Sequence, residues 1–118
     1  MNTHDNAYKE FIEYNFGFNI GSIWDYICDE FQFFSYKERI EEFSNILEKA
    51  MRSGILKLAS SGEFLEGSID DQVKKFKESF PDKEEDLFEF FFGLDVDGNM
   101  WAPGGGVWIC GDGDKIWT

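Results

Sequence analysis

Apolar side chains recur at helical spacing in four segments of the chain. The segments cover residues 5–16, 22–34, 35–53 and 68–80. Ser22, Ser35 and Ser68 each open a segment and have an acidic residue three positions later, so we predict that each serine caps a helix. Gly54 follows the third segment as a C-terminal capping glycine does, and Pro81 ends the fourth. The pattern therefore predicts four helices.

Apolar and polar residues alternate elsewhere, as they do in strands with one buried face. The predicted strands are Ile55–Ala59, Glu63–Glu66, Asn99–Trp101, Val107–Cys110 and Lys115–Trp117. Asp112-Gly113 is typical of a hairpin turn between the last two. The aromatic run at 87–92 fits a helix starting at Asp82 or a strand, and we favour a strand because aromatic residues are enriched there. These elements predict an α+β fold in a single domain, residues 1–118, with about four helices, a small antiparallel sheet and a C-terminal β-hairpin.

The glycine-rich stretch WAPGGGVWICGDGDKIWT, residues 101–118, and the LDVDGN before it raise the question of a ligand site. Counted from Asp95, an EF-hand register leaves no acidic residue at position 12, so no calcium loop is predicted. Gly104–Gly106 precede neither a helix nor a Lys-Ser/Thr pair, so no phosphate loop is predicted either. We interpret the stretch as the end of a sheet in which the glycines allow a bend or the close approach of another backbone. Trp108 and Trp117 are then candidates for a cross-strand pair.

Few side chains are candidates for nucleophilic or metal chemistry. The only histidine is His4, near the N-terminus, and Cys28 and Cys110 stand far apart in the sequence. We interpret both cysteines as buried free thiols and leave a disulfide between them open. No Asp/Glu pair stands out by its spacing for acid–base catalysis. We therefore expect a protein that is not an enzyme and that holds no cofactor and no metal.

Charge is distributed unevenly along this acidic chain, whose formal net charge is −13. Residues 82–97 contain seven acidic side chains against Lys83, and residues 1–30 contain six against Lys9. Such a field repels nucleic acid and anionic lipid, and it speeds the encounter with a basic protein. The alternative is that these acids are solvated faces that keep an aromatic-rich chain in solution. The predicted partner-binding residues are Asp82, Glu84, Glu85, Asp86, Asp95 and Asp97.

Targeting signals are lacking in the sequence. The N-terminus is polar and acidic, unlike a secretory signal peptide, and no apolar run reaches the length of a membrane span. We expect a cytoplasmic protein that works by binding another protein, with neither nucleic acid nor membrane as a partner.

Two stretches resemble a bacterial family of small proteins first catalogued as a domain of unknown function. They are GILKLASSGEFLEGSIDDQVKKFKESFP at residues 54–81 and GGGVWICGDGDKIWT at residues 104–118. The shared features are a strand-turn-strand unit before a capped helix, a proline after that helix, and a hairpin that contains tryptophan. Members of that family look like immunity proteins of polymorphic toxin systems, including contact-dependent growth inhibition.

The resemblance implies a protein that binds the C-terminal domain of a cognate toxin. Many such toxins are nucleases with a basic substrate cleft, and neutralisation would follow from occlusion of the active site or of another surface that the toxin requires. The resemblance supplies no site residues. The alternative function is an acidic adaptor or nucleic-acid mimic that binds basic proteins in general.

Overall fold

The fold combines helices with one antiparallel sheet. The computed structural model describes residues 11–60, 62–87, 90 and 102–118. The helices are α1, described over residues 11–15, α2 (Gly21–Glu30), α3 (Tyr36–Arg52) and α4 (Ile69–Ser79), followed by a 3₁₀ turn at Glu84–Asp86. The strands are β1 (Leu56–Ser60), β2 (Glu63–Phe64), β3 (Gly105–Ile109) and β4 (Lys115–Trp117). The predicted α+β fold, with four helices and a C-terminal hairpin, is confirmed.

The sheet has the strand order β2-β1-β3-β4, and every neighbouring pair is antiparallel. Leu56 of β1 lies opposite Trp108 of β3, and Val107, the residue before Trp108, lies opposite Trp117 of β4. Because successive side chains of a strand point to opposite faces, these two pairs lie on opposite sides of the sheet. The side that carries Leu56 and Trp108 packs in the core with the helices. On the other side, the rings of Phe64 and Trp117 stack with their centroids 5.3 Å apart. These residues belong to the two edge strands, which in a flat sheet would lie about 14 Å apart, so the sheet curls toward this side.

Aromatic rings fill the core between the helices and the sheet. Phe43 of α3 contacts Phe80, which follows α4, with ring centroids 5.4 Å apart. Phe90 packs against Phe80 at 4.8 Å. Trp108 is fully buried, and its indole Nε1 donates a hydrogen bond to Phe18 O at 2.7 Å, which satisfies its one polar group. The core thus fastens the segment after α4 to the helices and to the centre of the sheet.

Serine caps occur at two of the three predicted positions. Ser35 Oγ accepts from Glu38 N at 3.1 Å, and Glu38 Oε1 accepts from Ser35 N at 3.0 Å, which completes the predicted capping box. Ser68 Oγ accepts from Asp71 N at 3.1 Å at the start of α4. Gly54 follows α3 with a φ of 79°, a left-handed conformation that glycine adopts without strain.

The predicted cap at Ser22 is wrong. α2 begins one residue earlier, at Gly21, so Ser22 lies inside the helix. The single hydrogen of the Ser22 hydroxyl has two acceptors within reach, Asn15 Oδ1 at 2.9 Å and Asn19 O at 2.8 Å. Asn19 Oδ1 accepts from Ser22 N at 3.2 Å. Asn19, three residues upstream, therefore accepts a hydrogen bond from a backbone N–H in the first turn of α2, which is the role of a capping side chain.

The aromatic run at 87–92 is not a strand where the structure describes it. Leu87 and Phe90 are helical and buried. Their spacing of three places both side chains on one helical face, toward the core, and this burial overrides the strand preference of aromatic residues. Residues 88, 89, 91 and 92 lie outside the described residues, as do the predicted strand Asn99–Trp101 and positions 5–10 of the first predicted helix.

The C-terminal hairpin has the predicted turn but not the predicted tryptophan pair. Asp112 Oδ1 accepts from Asp114 N at 3.0 Å within the turn. Trp108 lies opposite Ile116, and Trp117 is 51% exposed on the other side of the sheet. The Trp108–Trp117 pair is therefore wrong, because a register that differs by one residue turns a side chain to the opposite face.

The glycine run before and within β3 allows two backbones to approach closely, as predicted. A Cβ atom on Gly104 would lie 2.7 Å from Ala59 O, and one on Gly106 would lie 3.2 Å from Leu56 Cδ1. A larger residue at Gly104 would push the chain away from the backbone of β1, whereas one at Gly106 would press on the Leu56 side chain.

Both cysteines are free thiols, and the open alternative of a disulfide is not realised. The prediction that they are buried is wrong, since Cys28 and Cys110 are each only half-buried. Cys110 follows the last residue of β3, where the chain leaves the core.

Candidate functional site

The acidic segment that follows α4 is fixed to the fold at both of its ends. Pro81 is buried, and its carbonyl accepts a hydrogen bond from the Tyr36 hydroxyl at 2.6 Å. Leu87 is buried in the core. Between these two anchors the 3₁₀ turn Glu84–Asp86 presents carboxylates to solvent. The chain therefore holds this cluster of negative charge in a defined place on the surface.

Arg39 joins the acidic segment to the turn between α2 and α3. Its Nη1 contacts Glu84 Oε1 at 3.0 Å, its Nη2 donates to Gln32 O at 3.0 Å, and its Nε donates to Phe31 O at 3.3 Å. Only 17% of the Arg39 side chain is exposed, compared with 48% for Glu84. The planar guanidinium suits such a role because its donors diverge in a fixed fork.

Acidic residues of α2 lie next to this segment. Burial raises the pKa of the Cys28 thiol, the Arg39 charge opposes that rise, and the charges of Glu84, Asp25 and Asp29 add to it. Charges act appreciably over about one Debye length, roughly 8–10 Å. Glu84 of the acidic segment and Asp25 and Asp29 of α2 therefore act on one thiol. The contacts themselves place the segment beside the end of α2, because Arg39 bonds both Glu84 and the carbonyls of Phe31 and Gln32.

The charge of Glu84 also acts on Tyr36, together with two further acids of the same segment. Burial, followed by the charges of Glu84, Asp82 and Asp86, raises the pKa of its hydroxyl to about 12. The fold thus brings parts of the two acid-rich regions of the sequence together, since Arg39 bonds both Glu84 and the turn that ends α2. We call it the acidic surface, and it comprises Asp25, Asp29, Asp82, Glu84, Glu85 and Asp86.

The predicted partner-binding residues fall into three groups in the structure. Asp82, Glu84 and Glu85 are exposed, and Asp86 is half-buried. The Glu84 carboxylate forms an ion pair with Arg39, so Glu84 also has a structural contact. Asp95 and Asp97 lie outside the described residues.

Sequence reasoning did not identify Arg39 as part of this surface. Arg39 lies at the start of α3, where the helix dipole disfavours a cation. That unfavourable position is the signal that could have pointed to a contact elsewhere. The proximity of Asp25 and Asp29 to the segment after α4 depends on how the helices pack, and no local pattern reports it.

The turn between α2 and α3 carries an exposed phenylalanine. α2 ends at Glu30, and not near Phe34 as predicted, because the backbone leaves the helical conformation at Phe31, where φ is −121° and ψ is 54°. Phe34 N donates to Phe31 O at 3.0 Å, and the rings of these two residues stack with centroids 4.8 Å apart. Phe33 lies between them and is fully exposed, at 102%.

The chemistry of this surface is that of charge recognition. Within the described ranges, no group of three or more His, Cys, Asp or Glu side chains is placed to hold a metal ion. In the same part of the chain, no helix is long and apolar enough to cross a membrane. Carboxylates with one exposed aromatic ring can pair with the basic and apolar groups of another macromolecule.

Comparison with known proteins places the chain in a family. An uncharacterized protein conserved in bacteria, from Neisseria meningitidis, has a similar structure, with a TM-score of 0.71 and 21% sequence identity. The match covers 96% of this chain and 88% of that protein, and at this identity it shows a shared fold. A search of curated proteins found no match. Residues 51–118, more than half of the chain, match the family described as "Protein of unknown function, DUF596". The chain therefore belongs to the DUF596 family.

Proposed function

We propose that this chain is an immunity protein that acts in the cytoplasm. It binds the C-terminal domain of a cognate toxin, a nuclease with a basic cleft, and neutralises it by covering the active site or a surface that the toxin requires. The acidic surface carries the proposal. It is supported by the resemblance of residues 54–81 and 104–118 to a family whose members look like immunity proteins.

The placement of the acidic surface suits rapid association with a basic protein. Pro81 and Leu87 hold the acidic segment at both ends, so its carboxylates keep their position before a partner arrives. Opposite charges on two proteins raise association rate constants by about 10- to 1000-fold at low salt. An inhibitor that must reach a toxin before the toxin reaches its substrate benefits directly from this rate.

A binding titration at two salt concentrations tests the proposal. The partner is the toxin domain encoded beside this gene, in a catalytically disabled form. We expect nanomolar affinity, with an association rate that falls as salt rises. Absence of a complex at both salt concentrations would contradict the immunity role.

A pair of charge-reversal variants tests whether the acidic surface is responsible. Asp82→Lys with Glu85→Lys reverses two exposed acids of the surface, and we expect association to slow at least about fivefold at low salt. Glu63→Lys with Glu66→Lys is the matched control, because it changes the net charge equally before α4 rather than after it. The two pairs are separated by the roughly 16 Å length of that helix. Equal slowing by both variants would show that only the overall charge matters.

An acidic adaptor or nucleic-acid mimic would behave differently in the same titration. It would bind unrelated basic proteins, such as lysozyme, as tightly as the neighbouring toxin domain, and its affinity would decline steeply with salt. An immunity protein keeps its affinity for one partner when salt screens the long-range field, because short-range contacts then hold the complex.

A further inference from the structure

Phe33 stands out among the exposed aromatic side chains of the described residues. Its side chain is fully exposed, at 102%, whereas the exposed rings of Phe64 and Trp117 stack on each other. We infer that Phe33 is the anchor residue of the acidic surface, and that it inserts into an apolar socket on the partner surrounded by basic side chains. This inference rests on the proposed function and adds the residue that holds the complex together.

The turn that carries Phe33 is fixed before any partner binds. Arg39 donates to the carbonyls of Phe31 and Gln32, and Gln32 Nε2 donates in turn to Asp29 O at 3.2 Å. The stacked rings of Phe31 and Phe34 lie on either side of Phe33 in the sequence. The backbone that presents the ring is therefore ordered in advance, so binding costs only the rotamer freedom of the Phe33 side chain, which has just two rotatable bonds.

The charges around the turn specify the chemistry of the socket. Arg39 connects the turn directly to Glu84, and Asp29 lies at the end of the helix that precedes it. A partner that receives Phe33 must therefore bring its own surface against carboxylates. Lysine or arginine at the rim of the socket would pair with those carboxylates, and an arginine could also lie on the face of the ring. An apolar socket with an acidic rim would be repelled.

The test is the dissociation rate of Phe33→Ala from the disabled toxin domain encoded beside this gene. We expect dissociation at least about thirtyfold faster than for the unaltered chain, which is about 2 kcal/mol. The association rate should change by less than about twofold, because the charges that steer the encounter remain. Phe33→Leu keeps an apolar side chain, so its dissociation rate should lie between those of the unaltered chain and Phe33→Ala.

Phe18→Ala is the matched control. Phe18 is also exposed, at 60%, but it precedes α2 whereas Phe33 follows it, so the two rings lie at opposite ends of a helix about 15 Å long. Its substitution should leave both rates unchanged. Thermal unfolding of each variant verifies that the fold is intact, which is expected because neither side chain is buried.

The outcomes separate the inference from the function on which it rests. Faster dissociation of Phe33→Ala alone supports the anchor. Tight binding by the unaltered chain, with Phe33→Ala dissociating equally slowly, overturns the anchor and leaves the immunity role standing. Equally faster dissociation of Phe33→Ala and Phe18→Ala also overturns the anchor, since it indicates nonspecific apolar contact by exposed rings. If the unaltered chain forms no complex, the proposed function and the inference fail together.

Discussion

Replacement of Arg39 by alanine should lower the stability of the fold and speed dissociation from a partner. It should also raise the association rate. The Arg39 side chain makes three polar contacts that alanine removes, to Glu84, Gln32 O and Phe31 O. Loss of one cation also makes the acidic surface more negative. The substitution therefore removes the structural contacts and the charge of the guanidinium together.

The magnitude follows from the exposure of each partner. The Glu84 carboxylate is 48% exposed, and such surface ion pairs contribute about 0.2–1 kcal/mol. The 3.0 Å hydrogen bond to Gln32 O contributes about 1 kcal/mol. The 3.3 Å contact to Phe31 O adds little, and that carbonyl keeps its bond from Phe34 N. The free energy of unfolding should fall by about 1.2–2 kcal/mol, which lowers Tm by roughly 5–8 °C for a chain of this size.

Chemical denaturation and binding kinetics together provide the assay. Lys37→Ala is the matched control, because it removes the same charge from an exposed position two residues earlier in α3. Both substitutions should raise the association rate with a basic partner modestly, but only Arg39→Ala should lower stability and speed dissociation. A change of about 0.3 kcal/mol in the free energy of unfolding is within the range of ordinary surface substitutions. If the change for Arg39→Ala is no larger than that, Arg39 does not stabilise the turn.

Three further predictions concern the fold. Ser35→Ala removes the capping box of α3 and should lower the free energy of unfolding by about 1 kcal/mol, as measured by urea denaturation, while binding specificity stays the same. Gly104→Ala should destabilise the protein by about 1–3 kcal/mol, because the new Cβ would lie 2.7 Å from Ala59 O, whereas Gly111→Ala, with no atom within 4 Å, should be close to neutral in the same denaturation series. The pKa of Tyr36 is about 12 in the folded chain, above the usual tyrosine value of about 10, so its contribution to stability is complete below pH 10 and is lost as pH rises toward 12. Tyr36→Phe should flatten that decline in unfolding curves recorded across this range.

Local signals in the sequence predicted the elements whose causes are local. The α3 cap needs only Ser35 and Glu38, and the end of α3 needs only Gly54, so both appear in the sequence as a short pattern. The Ser22 prediction was wrong because Asn19, a residue of equal capping ability, stands one helical turn upstream. Which of the two residues caps the helix depends on where the chain enters it. Asn15 helps to set that point, because its side chain lies within hydrogen-bond distance of the Ser22 hydroxyl.

Tertiary packing decided what the sequence could not predict. The aromatic run was read as a strand from composition, but Phe90 packs against Phe80 in a core built by helices. The acidic residues were predicted to be a binding set from their density alone. Their position beside α2 depends on how the helices pack. The contact of Arg39 with Glu84 joins residues 45 positions apart, and a single sequence does not report such a contact.

The central pairing of the sheet sets the order in which the chain can fold. Leu56 of β1 pairs with Trp108 of β3, about fifty residues away in sequence, so joining them closes a long loop at an entropic penalty near 3–4 kcal/mol. The helices have local contacts and need no such closure, so α3 and α4 can pair while β1 and β2 still present an unpaired edge. Until β3 arrives, the apolar side chains of β1 are available to other chains, and the yield of refolding should therefore decline with protein concentration.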